Sequence, residues 1–335
     1  MASVIRPAMK SFYAIAGRSF CIAADDVGVA RLVSRALRDY QFIPTGADPG
    51  GAPTYTIRIS AQDSPPSIPK GLASFEVPFG QCYTDGEKYC LAIEDSKLIV
   101  EGEGLVVWIG NTPRARRTES LVNVISYAVE TSLRRAGLYQ LHSGGVLEPK
   151  DKTAVLIIGG SGSGKTTLTS LLASRGWSYL TDDALVLSDN EGAVTARGIR
   201  KFFAVSEKTL TACRLGGVNG ALGGPMQSDP SKRRLEPSIA FPGKWVQSCV
   251  PEALLFTSIT HESGSTARAL SPSEAMTRLI KFNPWASYDH VTARDHLRLL
   301  NRLANQCRSF SLGAGSDILL EPSRAEELVT SLLET

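Results

Sequence analysis

Histidine is scarce and cysteine is scattered, with four His and six Cys in 335 residues. None of Cys21, Cys82, Cys90, Cys213, Cys249 and Cys307 stands in a CxxC pair, and no His lies at metal-ligand spacing from any of them. A structural zinc site and a dithiol redox motif are therefore excluded. Isolated thiols with mostly apolar flanks behave as small buried residues, which suits a reducing compartment. Also missing are an 18-residue apolar run and, after Met1-Ala2-Ser3-Val4-Ile5-Arg6, an apolar stretch ending in a small-residue cleavage site. The expectation is a cytoplasmic chain with no membrane partner. Charge of one sign is lacking too, because 36 Lys and Arg face 33 Asp and Glu. Basic residues gather only at Arg114-Ala115-Arg116-Arg117 and at Lys232-Arg233-Arg234. Clusters this short do not imply nucleic acid and read as solvated surface.

What is present is an ordinary soluble composition, 43% hydrophobic and 21% charged, on a chain longer than the size at which single cores usually stop growing. Two domains are expected, an N-terminal α+β domain of unassigned role over 1–135 and an α/β domain over 136–335. In the first, β-like runs at Phe12–Ile15, Tyr55–Ile59, Leu72–Val77, Tyr89–Ile93, Lys97–Val100 and Leu105–Ile109 alternate with turn residues. Asp25–Tyr40 and Thr118–Gly137 carry helical spacing, the second with Arg134 and Arg135 in its last turn. In the second, Ala253–Ile259 reads as a strand, and Ser271-Pro272-Ser273-Glu274 reads as a capping box that opens a helix. Helices near Asp289–Cys307 and after Pro322 close the chain. Gly216–Pro237, rich in Gly and Pro, reads as a flexible segment. It is either a solvated insert or a lid whose Lys232, Arg233 and Arg234 close over phosphates.

Gly159-Gly160-Ser161-Gly162-Ser163-Gly164-Lys165-Thr166 satisfies G-x-x-x-x-G-K-[ST] between an apolar strand, Thr153–Ile158, and a helix, Lys165–Ala173. The glycines let successive N–H groups turn inward on phosphates, and the helix N-terminus adds partial positive charge. Lys165 then supplies an ammonium for the β/γ-phosphates, Thr166 a hydroxyl for Mg²⁺, and Thr167 extends the site along the helix. Asp182 and Asp183 follow, expected at the end of the next strand of a parallel sheet. One carboxylate is able to organise Mg²⁺ while the other takes a proton from an incoming hydroxyl. Which does which stays open. His142 falls in the helix-to-strand connection before the loop strand, with structural and catalytic readings evenly weighted. His261, His290 and His296 read as surface or capping residues.

The run His142…Gly145-Val146…Gly159–Thr166…Arg175-Gly176-Trp177…Asp182-Asp183 resembles the core of the HPr kinase/phosphorylase family over roughly Leu141 to Leu187. That resemblance implies an HPr-kinase/PEP-carboxykinase-like P-loop domain behind the small α+β domain. It also implies ATP and Mg²⁺ as cofactors and a Ser/Thr hydroxyl of a protein or peptide as phosphate acceptor. On the matching positions, Lys165 and the loop amides take the phosphates, Thr166 takes the metal, and Asp183 becomes the general base with Asp182 and His142 in support. Three departures stand out, one being an N-terminal domain unlike that of the family's regulatory enzyme. Trp177 replaces the family's His, and the second signature survives only as an echo in Thr195-Ala196-Arg197-Gly198-Ile199-Arg200. A small-molecule kinase and a nucleotide-binding regulatory module without transfer activity are the competing readings, and homo-oligomerisation is left open.

Overall fold

The computed structural model describes residues 9–46, 54–62, 66–68, 70–77, 80–101, 104–110, 118–226, 229–283 and 285–334. Arg114, Arg116 and Arg117 lie outside the described residues. The chain is mixed α/β, with large sheets and several helices, and it divides into two compact units, 1–138 with 285–294 and 139–284 with 295–335.

Alternating side chains in the first unit build a nine-stranded sheet from β1 (Met9–Ile15), β2 (Arg18–Ala24), β3 (Ile43–Pro44), β4 (Thr54–Gln62), β5 (Ala73–Val77), β6 (Gly80–Thr84), β7 (Tyr89–Ile93), β8 (Ser96–Glu101) and β9 (Gly104–Gly110). Their order is β3-β1-β2-β4-β9-β8-β7-β6-β5. Helix α1 (Val27–Leu37) buries Val29, Val33 and Leu37, and α2 (Thr118–Arg135) buries Leu121, Val124, Ile125 and Ala128. The α2 face agrees with the helical spacing in the sequence; on α1 the expected face of Val27, Ala30, Val33 and Leu37 holds at Val33 and Leu37, but Val27 is exposed and Val29 is buried instead. Strand β2 escaped that reading because every residue after Arg18 is buried, so no alternation marks it.

The second unit is organised by β10 (Tyr139–Leu147), β11 (Ala154–Ile158), α3 (Lys165–Ser174), β12 (Ser178–Thr181), β13 (Ala184–Asn190), β14 (Ala193–Gly198), β15 (Phe203–Ser206), α4 (Glu207–Ala212), β16 (Leu222–Pro225), β17 (Lys232–Leu235), α5 (Pro237–Ala240), β18 (Ser248–Cys249), β19 (Ala253–Ile259), β20 (Thr266–Leu270) and α6 (Pro272–Phe282). It is closed by α8 (His290–Gln306), β21 (Arg308–Ala314), α9 (Asp317–Leu320) and α10 (Ser323–Glu334), while α7 (Trp285–Tyr288) belongs to the first unit. Its main sheet runs β18-β14-β13-β10-β11-β19-β21-β20, with β12 also paired to β10. Strand β11 is parallel to β19 but antiparallel to β10, and β12 and β13 are both antiparallel to β10. The expected run of adjacent parallel strands is therefore replaced by a mixed sheet. The Asp pair still reaches the loop, because β12 and β13 run in the direction of β11 one strand away.

Three further expectations change. His142 lies within β10, opposite Ala184, and not in a connection. His296 is buried and stacked on Tyr139 at 4.7 Å, so it is neither a surface nor a capping residue. The Gly216–Pro237 stretch contains two strands of a three-stranded sheet, β15-β17-β16. Leu235 there is fully buried opposite Phe203, and that apolar anchor fixes a segment whose glycines suggested a loop. The capping box at Ser271 forms as expected, with Ser271 and Glu274 each bonding the other's backbone N–H.

Close packing of β10 on α3 leaves no room at Gly144, where a Cβ would stand 2.5 Å from Thr169 Oγ1. Thr169 is fully buried and its hydroxyl has no hydrogen-bond partner. Gly144→Ala should cost about 1–3 kcal/mol through overpacking. Thr169→Ala in the same chain should restore most of the loss in urea melts, and equal loss in single and double variants would refute this contact.

Candidate functional site

All five residues of β11 are buried, and the chain leaves this strand straight into Gly159. A Cβ at Gly159 would collide with the Ser163 hydroxyl and lie 2.7 Å from the Thr257 carbonyl. Gly162 and Gly164 take φ of 77° and 93°, the left-handed region, and Gly164 caps α3. The glycine loop thus sits on the N-terminus of α3, where backbone N–H groups and the helix dipole favour an anion.

Lys165 folds back beneath this loop. Its Nζ donates to Gly159 O at 2.8 Å and Gly160 O at 3.0 Å, and it lies 2.9 Å from His142 Nε2. With the ammonium as donor, Nε2 must accept, so the proton of neutral His142 sits on Nδ1 and donates to Asp183 Oδ1 at 3.2 Å. Burial pulls the His142 imidazole below its ordinary value, with Asp183 opposing and Lys165 and Arg200 reinforcing. Burial also lowers Lys165, against the pull of Asp183 and Asp182.

This fixes the sign of a pH effect. A His kept neutral by the fold contributes stability that is present above the unfolded value of 6.5 and is lost as pH falls from there toward the folded value. An NMR titration should place His142 below 6.5. His142→Gln should remove that portion of the acid dependence, and a His142 titrating at or above its unfolded value contradicts the neutral tautomer.

Asp182 and Asp183 are adjacent but differ in surroundings. Asp182 is wholly buried, and its Oδ2 accepts from Thr166 Oγ1 at 2.9 Å and from Ala204 N at 3.2 Å, while Oδ1 has no hydrogen-bond partner. Burial pushes its carboxyl up, with Arg200 opposing and the charge of Asp183 adding to the rise. Burial alone would raise Asp183 too, but Arg200, His142 and Lys165 together hold it below the usual carboxylate range. Arg200 makes a close ion pair with Asp183 and stands 3.8 Å from Asp182.

Arg200 is the residue that sequence reasoning quoted only as an echo. Strands β13 and β14 form a hairpin closed by Asn190↔Ala193, with Glu191 and Gly192 both at positive φ as a tight I′-type turn demands. Counting outward from that turn through Leu185↔Gly198 and the Ile199 N to Ala184 O bond sets Arg200 opposite Asp183. Gly192 was the one turn signal in the sequence, weakened by Glu191 beside it. Phe202 then lies between two guanidiniums, Arg200 at 4.3 Å and Arg234 at 4.2 Å from its ring. Lys232 lines the cleft, while half-buried Arg234 lies outside it on the Phe202 ring.

One cleft of about 220 Å³ brings together Ser161 to Thr167 with His142, Asp183 and Lys232. Asp182 stands behind Thr166, and the Gly159 and Gly160 carbonyls hold Lys165. The cysteines lie apart from this cleft, and burial pushes Cys82, Cys213, Cys249 and Cys307 up to about 12. Among the described residues no helix is long and apolar enough to cross a membrane, and no group of three or more His, Cys, Asp or Glu is placed to hold a metal.

No protein-family model matches the chain, and no curated protein matches it. Among solved structures, the Hpr(Ser) kinase/phosphatase from Coxiella burnetii is similar over 57% of this chain and 98% of its own length, at 12% identity and a TM-score of 0.31. At so low a score the likeness decides neither fold nor activity.

Proposed function

We propose that the chain is an ATP-dependent phosphotransferase that passes a phosphoryl group to a Ser/Thr hydroxyl of a protein or peptide, on a P-loop domain of the HPr-kinase type. The observation that carries this reading is the division of the Asp pair around one anion-accepting loop. Asp183 faces the cleft, ionised and joined to His142, while Asp182 is buried behind Thr166.

The residues fit a divalent cation. The Thr166 hydroxyl donates its hydrogen bond to Asp182 Oδ2, which leaves its oxygen lone pairs for a metal, and the buried Asp182 Oδ1 has no hydrogen-bond partner. Thr166 and Asp182 would hold Mg²⁺, directly or through water, with phosphate oxygens completing the shell. Mg²⁺ supplies charge neutralisation between the phosphates. The loop amides orient the phosphates, and the Lys165 ammonium follows the charge that develops on the transferred group. Asp183 accepts the hydroxyl proton at a carboxylate oxygen, and His142 fixes its orientation through Nδ1–H.

A second reading has its own support. The close Arg200 pair lowers the basicity of Asp183 and covers one of its oxygens. If this pair stays closed, the chain binds nucleotide as a regulatory module without transfer. Incubation with γ-labelled ATP, Mg²⁺ and a library of peptides and metabolites, read by mass spectrometry, separates the two. A labelled Ser or Thr is the expected result, and nucleotide binding with no labelled acceptor favours the module. A labelled metabolite instead would redirect the assignment to a small-molecule kinase.

A further inference from the structure

A second, narrower opening of about 60 Å³ adjoins the phosphate cleft, walled by Leu168, Thr257, Leu312, Ala314, Ile318 and Leu319. It shares Ser163, Gly164, Thr167 and Ile259 with that cleft, so the two are continuous along the first turn of α3. No charged side chain lines it, and Ile259, 57% exposed, stands at the junction. We infer that this slot takes the nucleobase of the nucleotide whose phosphates the glycine loop holds, and that it takes adenine and guanine alike. The inference rests on the phosphate reading above.

Its apolar walls offer contact area to either face of a flat ring, but telling a 6-amino from a 6-oxo group requires polar groups left free to pair with the base edge. At this rim the Ala314 carbonyl and the N–H groups of Gly315 and Leu319 are already engaged. The Ala314 carbonyl accepts from Thr260 N at 2.8 Å and Thr260 Oγ1 at 3.2 Å. Gly315 N donates to Ser265 Oγ at 2.9 Å, Ser316 N to Glu262 O at 3.0 Å and Asp317 N to Ser263 O at 3.1 Å. Leu319 N is tied to Ser316 O, and the Thr167 hydroxyl lies 2.8 Å from that of Thr209. Base binding here is carried by shape and apolar area, which purines share.

Calorimetry on the full chain with Mg·ATP, Mg·GTP and Mg·tripolyphosphate tests this. ATP and GTP should bind within about threefold of each other and tripolyphosphate at least about tenfold more weakly. Leu319→Ala should weaken both nucleotides and leave tripolyphosphate unchanged, and photolysis of 8-azido-ATP should label the 312–319 segment. Equal affinity for ATP and tripolyphosphate, a preference for one purine above about thirtyfold, or label confined elsewhere overturns the slot. If tripolyphosphate and nucleotides all fail to bind, the phosphate reading falls first and the slot with it.

Discussion

Asp183→Asn is expected to bind Mg·ATP nearly as well as the parent chain while slowing single-turnover transfer by about 10²–10⁴-fold, the usual contribution of a general base. Asn keeps the side-chain size and one acceptor oxygen, so it can retain the bond from either His142 Nδ1 or Arg200, while the other donor faces the amide NH2. What disappears is the site for the hydroxyl proton. Asp182→Asn should behave differently, because Asp182 is buried behind Thr166 and does not line the cleft. Its main effect should be a higher Mg²⁺ requirement. Nucleotide affinity, Mg²⁺ titration and single-turnover rates for the two variants decide the matter. Exchanged phenotypes reverse the roles of the pair, and full rates in both make the pair structural.

Lys165→Ala is expected to reduce transfer by at least about 10²–10³-fold with circular dichroism unchanged, since it removes a charge aimed at the transferring group. The fold should tolerate the loss. Lys165 is buried, and burial lowers its ionisation, so its removal also relieves a desolvated charge. Two loop carbonyls and His142 Nε2 lose a donor, and of these His142 lines the cleft. Near-parental turnover would sink the phosphate assignment of the glycine loop.

Features fixed by neighbours in the chain were legible in the sequence. The strand, glycine loop and α3 are of this kind, as are the capping box at Ser271 and the buried stripe of α2. Their causes lie within a few residues. Arg200 was not legible as a site residue, because its meeting with Asp183 depends on the register of a hairpin whose turn carries Glu191 where Asn or Asp would have announced it. For Lys232 the choice between a solvated insert and a phosphate-facing segment stayed open for a related reason. Local composition suggested a loop, whereas the anchor of β17 is Leu235 packed opposite Phe203, more than 30 positions earlier. The mixed direction of the main sheet was equally hidden, since composition does not say whether β10 runs with or against β11.

The last turn of α2 bears on how this chain is made. Arg134 and Arg135, each about nineteen-twentieths buried, pair with Asp289 at 3.4 and 3.2 Å, and the Arg134 guanidinium lies 4.7 Å from the Trp285 ring centroid. Their counter-charge is thus supplied from more than 150 positions downstream, inside the same compact unit. An isolated N-terminal fragment ending at Leu138 would leave two guanidiniums without their carboxylate, Arg134 keeping only the Tyr89 and Thr131 hydroxyls, and breaking a buried pair in this way is strongly destabilising. On the ribosome, the first unit must wait in an incomplete form until residues 285–294 have been synthesised, although the last strand of its sheet ends at Gly110. Attempts to express it alone should begin from a fusion that carries the 285–294 segment.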